Sequence, residues 1–204
     1  MDPKKRIVVL VSGRGSNLQA LIEAEKKDYF PGTIALVISD NPDAYALSRA
    51  ERADIPTCVL DYSTFNSKKE YEAELLKILL GESPDLICLA GYMRIVGKKI
   101  IHHFPYRILN IHPSLLPAFP GLEAQKQAVE YGVKISGCTV HLVDEGMDSG
   151  PIVLQAACSV WDTDDSQSLA DRILEYEHQL YPKAVKLFLE EKLKIVGRKV
   201  IREG

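Results

Sequence analysis

The chain has 204 residues, of which 46% are hydrophobic and 26% are charged. Such a composition is ample for a packed core and excludes a wholly disordered chain. The formal net charge of −3 provides no overall basic field for nucleic acid, and the apolar run Ile7–Val11 is too short for a membrane span or a signal peptide. We therefore expect a cytoplasmic protein that binds neither nucleic acid nor membranes.

The cysteines lie far apart in the sequence and include no CxxC pair. No cysteine or histidine pair has the spacing of a metal site. Cys88 and Cys138 fall in apolar stretches that are typical of a core. The sequence therefore predicts reduced thiols at Cys58, Cys88, Cys138 and Cys158, and no bound metal.

The first half of the chain alternates apolar, β-branched runs with segments of helical spacing. Strands are predicted over Arg6–Val11, Thr33–Ser39, Thr57–Leu60, Leu86–Ala90 and Ile108–Ile111, and helices over Leu18–Lys27, Ala44–Ala53 and Ser67–Leu80. This order predicts an α/β, Rossmann-like fold with a mostly parallel sheet and helices on both faces. Ser16 or Asn17 is expected to cap the first helix and Asp43 the second. Leu80 is expected on the apolar side of the third helix.

The second half is less regular, which predicts a mixed C-terminal part. Its expected elements are a helix over Leu122–Tyr131 ended by Gly132, a strand over Ser136–Val143 with one wetter face, a strand over Pro151–Ala157, and a helix over Ser166–Glu190. The turn-rich segment Asp144–Pro151 predicts a hairpin between the two strands. The basic tail Lys192–Gly204 is expected to be a solvated end. No linker divides the chain, so we expect a single domain over 1–204, with an N-terminal half of about 1–105 and a C-terminal half of about 106–204.

A glycine-rich turn, Gly13–Asn17, follows the first strand and opens the first helix. Helix N–H groups and the positive end of the helix dipole favour an anion there. Leu18 occupies the third glycine position of the dinucleotide fingerprint, and no Gly-Lys-Ser/Thr of a Walker A loop follows. A monophosphate fits this turn better than a dinucleotide, although a plain tight turn explains the motif equally well.

The densest polar chemistry follows the fifth predicted strand. Asn110 and His112 are two residues apart and therefore face the same side of the strand, while Ile111 faces the core. Asn can donate to an oxyanion and His can relay a proton near neutral pH. Ser114 lacks the Gly-x-Ser-x-Gly elbow of a nucleophile, which favours direct transfer between two bound substrates. A structural hydrogen-bonded pair is the alternative for Asn110 and His112.

Asp148 lies in the Gly- and Asp-rich loop between the two later strands, where functional groups are often carried. If it meets His112 in space, its carboxylate would raise the pKa of the imidazole and fix its tautomer. Turn chemistry is the alternative explanation for this Asp. His141, in the preceding strand, is a candidate to support the site.

Four segments together closely resemble the phosphoribosylglycinamide formyltransferases, the folate-dependent family of purine synthesis. They are Ser12–Ala20, Ala90–Ile95, Leu109–Pro117 and Asp144–Pro151, and the similarity covers about Arg6–Phe188. The resemblance implies transfer of the formyl group of 10-formyltetrahydrofolate, as co-substrate, to the amine of glycinamide ribonucleotide. The products would be N-formylglycinamide ribonucleotide and tetrahydrofolate, formed through a tetrahedral intermediate without a metal.

The resemblance also implies roles for the two halves and for individual residues. The N-terminal half would bind the phosphate, and the C-terminal half would carry the catalytic residues and the folate loop. The catalytic residues would be Asn110, His112 and Asp148. The ribonucleotide would be held by Gly15, Ser16, Asn17, Ile111, Pro113 and Glu177. The folate would be held by Lys68, Met93, Arg94, Ile95, Val96, Asn110, Val143, Asp144 and Glu145. Two positions depart from the family pattern: Lys68 stands where relatives often have arginine, and Glu123 where some have histidine.

Other functions share parts of this pattern. A formyltetrahydrofolate deformylase would use water in place of the amine, another formyltransferase would act on a different amine, and a non-enzymatic domain would only bind a phosphate ligand. Only Met1–Lys5 precede the first predicted strand, which favours the transferase over the deformylases, whose chains carry a regulatory domain before the core. We expect small-molecule substrates and a monomer or a homodimer.

Overall fold

The computed structural model describes residues 4–202 and divides into two compact units, the first ending at Leu109 and the second beginning at Asn110. The first unit contains strands and helices in alternation, as the sequence predicts. Its elements are β1 (Lys5–Val11), α1 (Ser16–Lys26), β2 (Gly32–Ser39), α2 (Tyr45–Glu51), β3 (Thr57–Val59), a 3₁₀ turn (Tyr62–Thr64), α3 (Lys68–Glu82), β4 (Leu86–Leu89) and α4 (Lys98–His103).

The strands of the first unit are ordered β3-β2-β1-β4, and each neighbouring pair is parallel. The central strand β1 is buried from Ile7 to Val11. Its side chains must pack on both faces of the sheet, which is why the strand reads as a continuous apolar run. The ends of β1 and β4 are joined by a main-chain bond in which the Ser12 N–H donates to the Gly91 carbonyl over 3.2 Å.

The second unit is mixed, as predicted. Its elements are the end of β5 (Ile108–His112), α5 (Ala124–Tyr131), β6 (Ile135–Leu142), β7 (Ile152–Ser159), α6 (Ser166–Leu189), β8 (Leu193–Val196) and β9 (Lys199–Arg202). The strand order is β5-β6-β7-β9-β8. The predicted hairpin is confirmed because β6 and β7 pair antiparallel, and β9 adds parallel to β7. The α/β, mostly parallel fold class is therefore correct.

The predicted helix caps are wrong. Gly15, not Ser16 or Asn17, is the N-cap of α1, with φ 69°, and it has no side chain with which to cap. The N-cap of α2 is Ala44, which also makes no side-chain cap bond, so Asp43 does not serve. A side chain caps a helix from the N-cap position. Ser16, Asn17 and Asp43 each lie one or two residues from the N-cap of their helix, so their side chains do not cap it.

Two burial predictions are also wrong. Strand β6 has no wet face: it is buried from Ser136 to Leu142, because it lies between β5 and β7 and packs against α6. Leu80 is 49% exposed, whereas Leu75 and Leu79 are buried. Successive helical residues are rotated by about 100°, so Leu80 is carried away from the face that its neighbour Leu79 buries.

The tail departs from the predicted solvated end. Residues Leu193–Arg202 form the antiparallel hairpin β8–β9, and β9 pairs with β7 through Lys199 and Ile152. The last two residues of the predicted tail and the first three of the predicted single domain lie outside the described residues. Strands as short and charged as β8 and β9 show little periodicity in their sequence, so the pattern does not predict them. Their structure depends on pairing with the edge of the sheet.

The thiol prediction is confirmed for all four cysteines, which are free, with Cys88, Cys138 and Cys158 buried and Cys58 half-buried. Cys138 and Cys158 belong to a core cluster of the second unit with Ala128, Leu169 and Ile173. Burial raises the pKa of the Cys138 thiol to about 12, which keeps it protonated. Within residues 4–202, none of the helices combines the length and apolarity needed to cross a bilayer.

Candidate active site

The Gly13–Asn17 turn is built from main-chain atoms and is fastened to α2. The Ala46 N–H donates to the Gly13 carbonyl over 3.0 Å, and the Arg49 Nε donates to the Arg14 carbonyl over 2.8 Å. Gly15 lies directly against Ala46, since a Cβ added at Gly15 would lie 2.5 Å from the Cβ of Ala46. Two carbonyls of the turn are thereby held, and the glycine is required by both its positive φ and the close approach of α2.

This turn lines a cavity of about 190 Å³ in the first unit. The lining residues are Ser12, Gly13, Arg14, Gly15, Ser16, Asn17, Ala90, Gly91 and Met93. The Ser12 hydroxyl accepts a bond from the Met93 N–H over 2.9 Å and so connects the turn to the segment after β4. The three predicted phosphate-binding residues therefore share one concave surface at the start of α1, where the helix dipole favours an anion.

A second cavity in the first unit, of about 240 Å³, contains every folate residue predicted there. Lys68 and the run Met93–Val96 line it together with three tyrosines, Tyr62, Tyr71 and Tyr92. No pattern in the sequence predicts a binding role for these tyrosines. The Tyr71 and Tyr92 hydroxyls are 2.7 Å apart, and burial raises the pKa of Tyr71 to about 12 and that of Tyr92 further still.

The guanidinium of Arg94 is already committed inside the first unit. Its Nε lies 2.5 Å from Oδ2 of the buried Asp40, and its planar group stacks 3.4 Å from the centroid of the Tyr62 ring. Stacking and pairing of this kind fix an arginine in one orientation. Any ligand contact that Arg94 makes is therefore expected from its backbone. Lys68, in contrast, is paired only loosely, with Nζ 3.4 Å from the Glu72 Oε1.

The three predicted catalytic residues are brought together in the second unit. Asn110 and His112 lie on the same side of β5, and Asp148 reaches them from the loop between β6 and β7. The His112 Nδ1 is 3.4 Å from the Asp148 Oδ2, and the Asn110 Nδ2 donates to the Asp148 Oδ1 over 3.4 Å. His112 is buried and Asp148 is partly buried, so these polar groups interact with little screening by water.

A hydrogen bond fixes the tautomer of the neutral His112 ring. Its Nε2 lies 2.9 Å from the Phe119 carbonyl, which can only accept, so Nε2 carries the hydrogen and the neutral ring presents the lone pair of Nδ1 to Asp148. The Asp148 Oδ2 also accepts the Gly121 N–H over 2.7 Å. A proton arriving at Nδ1 would therefore meet a carboxylate that is already held in place.

His141 joins this network, as the sequence analysis suggested. Its Nδ1 lies 3.1 Å from the Leu142 carbonyl and must donate, so Nε2 accepts from the Asn110 Nδ2 over 3.1 Å. The same Nε2 is 3.6 Å from the Asp148 Oδ1. The Asn110 Nδ2 is thereby directed toward both His141 and Asp148.

The pKa of His112 is lowered overall. Burial lowers it, while the Phe119 carbonyl and Asp148 act to raise it. The Asp148 carboxylate therefore acts on this pKa in the predicted direction, but desolvation of the imidazolium outweighs it. Burial raises the pKa of Asp148, but His141, the Gly121 N–H and His112 lower it more, so Asp148 is ionised at neutral pH.

The other predicted residues of the second unit lie around this cluster or on α6. Ile111 is buried beneath the strand, and Pro113 follows β5. Val143, Asp144 and Glu145 begin the loop after β6, and Glu177 is a buried residue of α6, only 5% exposed. Their binding roles remain predictions.

The main-chain partners of the cluster could not be found from the sequence. Phe119 contributes a carbonyl and Gly121 contributes an N–H. Because almost every residue has these main-chain groups, the residue types do not predict such contacts. His141 did carry a signal, since it is a polar residue in an apolar strand. In the part of the chain that the structure describes, no group of three or more His, Cys, Asp or Glu side chains is arranged to hold a metal ion.

Comparison with known proteins agrees with this geometry. The family described as formyl transferase matches residues 5–185. The crystal structure of glycinamide ribonucleotide transformylase 1 from Symbiobacterium toebii is 50% identical, with a TM-score of 0.96 over 99% of this chain and 95% of that one. Phosphoribosylglycinamide formyltransferase of Escherichia coli (strain K12) is 42% identical over 93% of this chain and 89% of its own length.

A longer relative shows the same region within a larger protein. The trifunctional purine biosynthetic protein adenosine-3 of Drosophila melanogaster is 47% identical over 91% of this chain, which spans only 14% of that protein's length. The similarity therefore covers most of this chain, both in relatives of similar length and in the much longer trifunctional protein. The chain belongs to the formyl transferase family.

Proposed function

We propose that this protein transfers the formyl group of 10-formyltetrahydrofolate to the amine of glycinamide ribonucleotide. The names of its relatives support a formyltransferase with this acceptor. The products are N-formylglycinamide ribonucleotide and tetrahydrofolate, and the reaction belongs to de novo purine biosynthesis. The observation that carries the proposal is the convergence of Asn110, His112 and Asp148 within hydrogen-bonding distance. A binding domain without catalysis has no use for such a buried proton-transfer cluster.

The ribonucleotide phosphate binds at the Gly13–Asn17 turn. The main-chain N–H groups of Gly15, Ser16 and Asn17 stand at the start of α1, whose N-cap residue, Gly15, makes no side-chain cap bond. A dianionic phosphate interacts well with these N–H groups and the helix dipole. Glu177 binds the ribose hydroxyls, and the carbonyls of Ile111 or Pro113 orient the amine.

The folate uses two sets of residues. In the first unit, Lys68 and Met93–Val96 line the larger cavity, where the side chains of Met93 and Ile95 are 63% and 57% exposed. Their exposed apolar surface suits a flat heterocycle, and the Lys68 ammonium suits a carboxylate of the folate tail. In the second unit, the folate is contacted by Asn110 and by the loop Val143–Glu145.

The reaction is a direct acyl transfer. The amine nitrogen attacks the formyl carbon, forming a C–N bond and an oxyanion, which Asn110 stabilises. An oxyanion takes one N–H of the Asn110 amide, most easily the one that makes the longer, 3.4 Å bond to Asp148. The intermediate then collapses by breaking the bond to N10 of the folate, which leaves with a proton. Placing both substrates together supplies much of the rate.

His112 moves the proton between the two nitrogens, through an ordered water. Its lowered pKa leaves it neutral near pH 7, so it can accept the proton from the attacking amine before giving it to the leaving nitrogen. The proton resides at Nδ1, 3.4 Å from the Asp148 Oδ2, which stabilises the transient imidazolium.

A two-substrate assay tests the proposal. Purified protein is mixed with 10-formyltetrahydrofolate, with and without glycinamide ribonucleotide, and both tetrahydrofolate and formylated nucleotide are followed. Tetrahydrofolate production that requires the ribonucleotide, with equal amounts of formylated product, is the expected result. Production without it, with release of formate, would identify a deformylase. Activity only with another amine would change the acceptor, and no activity would leave a phosphate-binding domain.

We also propose the location, oligomeric state and domain organisation of the protein. The protein acts in the cytoplasm on small molecules, without a metal, as a monomer or a homodimer. It forms a single domain, with the phosphate-binding half and the catalytic half near the boundaries that the sequence predicts. Sedimentation at micromolar concentration distinguishes the two oligomeric states.

A further inference from the structure

The C-terminal hairpin β8–β9 contacts the loop that carries Asp148. The Arg198 Nη2, at the turn of the hairpin, donates to the Ser149 carbonyl over 2.8 Å. On the other side of the loop's end, Lys199 of β9 pairs with Ile152 of β7. Arg198 and Lys199 lie beyond the 5–185 region that the formyl transferase family matches. The hairpin is thus placed against the residue that follows Asp148.

The backbone of this loop needs to be held. Asp148 has φ 49°, in the left-handed region that residues other than glycine rarely adopt. Such a conformation persists only where its surroundings fix it. At Asp148 itself, the carboxylate is fixed by the Gly121 N–H over 2.7 Å. The chain after it needs a second point of attachment.

Ser149 provides that attachment from both of its ends. Its hydroxyl donates to the Asp144 Oδ1 over 2.6 Å, which closes the loop on itself. Its carbonyl accepts from Arg198, which ties the loop to the hairpin. Asp144 also accepts the Gly146 N–H over 3.1 Å, so the inner part of the loop is braced independently of Arg198. Arg198 supplies the brace from outside the loop.

We propose that Arg198 is a positioning residue for Asp148, and that the hairpin β8–β9 serves to hold the catalytic loop in its reactive conformation. Arg198 acts on the peptide after Asp148 and does not touch the reacting atoms. Its loss would let Asp148 leave the left-handed conformation and draw its carboxylate away from His112. The role in turnover rests on the proposed function, whereas the bracing of the loop does not.

The test compares three variants of the full chain. R198M removes the donor but keeps an unbranched aliphatic side chain, R198K restores a donor, and R202A removes an equal charge from an exposed position of the same hairpin. Amide hydrogen exchange of residues 144–151 reports the loop directly. We expect exchange in R198M to rise about five- to tenfold, as loss of one charge-assisted hydrogen bond allows, with R198K intermediate and R202A unchanged.

Turnover provides the second measurement. In the two-substrate assay, R198M should lower kcat about fivefold while leaving the KM of the ribonucleotide unchanged, because the phosphate turn is untouched. R198K should recover at least half of the loss. A merely structural role would lower thermal stability without this split between kcat and KM, and it would affect R202A equally.

Two results would overturn the inference. One is unchanged exchange of residues 144–151 in R198M; the other is the same increase in R202A, which would show a general effect of the hairpin. If R198M alone loosens the loop while the wild-type protein transfers no formyl group to the ribonucleotide, the proposed function fails and the brace stands. If R198M unfolds, amide exchange of residues 144–151 is compared between R198K, which alters the contact with Ser149, and R202A, which does not. Faster exchange in R198K would support the inference, and equal exchange in the two variants would overturn it.

Discussion

The Gly13–Asn17 turn and the cluster around Asp148 are made from different kinds of atoms. In the turn, the groups proposed to bind the phosphate are main-chain N–H groups, and α2 holds the turn through two of its carbonyls, which accept from the Ala46 N–H and the Arg49 Nε. In the cluster, side chains from two strands and a loop converge, and the main chain serves only as support. The turn should therefore tolerate changes of side chain but not of backbone, and the cluster should show the reverse.

The largest effect is expected at the cluster. Replacing His112 by Ala, or Asp148 by Asn, removes the group that carries or stabilises the proton, so kcat should fall about 10²- to 10⁴-fold. The assay is steady-state formation of formylated nucleotide, with circular dichroism to verify folding. A folded His112→Ala protein that retains kcat within tenfold of wild type would refute the proton-transfer role.

The next effect tests the backbone of the turn. Gly15→Ala forces a Cβ to within 2.5 Å of the Ala46 side chain and strains a backbone with φ 69°. The turn must shift, and we expect the KM for the ribonucleotide to rise about tenfold or more with kcat at saturation nearly unchanged. Ser16→Ala, which changes only a side chain, is the matched control and should raise KM by no more than about threefold. Equal effects of the two variants would contradict a turn that binds through its backbone.

A smaller effect on phosphate binding should distinguish Arg49 from the nearby Arg52. Arg49 donates to the Arg14 carbonyl and, over 3.1 Å, to the Gln19 Oε1, whereas Arg52 donates to the Tyr45 hydroxyl and not to the turn. Both stack on the Tyr45 ring. Arg49→Ala should therefore weaken binding of inorganic phosphate about fivefold, measured by titration calorimetry, and Arg52→Ala should not. Equal weakening would indicate that net charge, not the hydrogen bond to the turn, governs the affinity.

The smallest effect concerns pH and stability. The pKa of His112 is lowered in the folded protein, so the unfolded chain binds a proton more readily. The free energy of unfolding should fall as pH drops below about 6.5, the ordinary pKa of histidine, and level off below the folded pKa. Urea denaturation from pH 7.5 to 5 measures this, with His112→Gln as a control that lacks the group. A wild-type curve with the same slope as His112→Gln would show that burial does not depress this pKa.

Much of this architecture could be predicted because local pattern and tertiary environment agree. The run Ile7–Val11 is buried on both sides, and the spacing of Asn110 and His112 fixes their common face in any extended strand. The link to Asp148 came from a resemblance, since no local rule relates residues so distant in sequence. Its distance from His112 is a property of the folded loop.

The rest was hidden because it depends on main-chain atoms or on burial. The Phe119 carbonyl and the Gly121 N–H support the cluster without any preference for residue type. The direction of the His112 pKa depends on how much water the fold removes, and the sequence shows the carboxylate but not the desolvation. The hairpin that contains Arg198 is ordered by pairing with β7, which its own short strands do not predict.

The proposed catalytic network and its main-chain supports all belong to the second unit, from Asn110 to Ser149, whereas the Gly13–Asn17 turn belongs wholly to the first. The proposed phosphate contacts and the proposed proton relay therefore lie in separate stretches of the chain. The proposed contacts with the ribose and the amine, at Glu177 and at Ile111 or Pro113, lie in the same unit as the relay. A change near the first glycine turn would thus alter recognition of the acceptor's phosphate and leave both its amine contacts and the proton relay as they were.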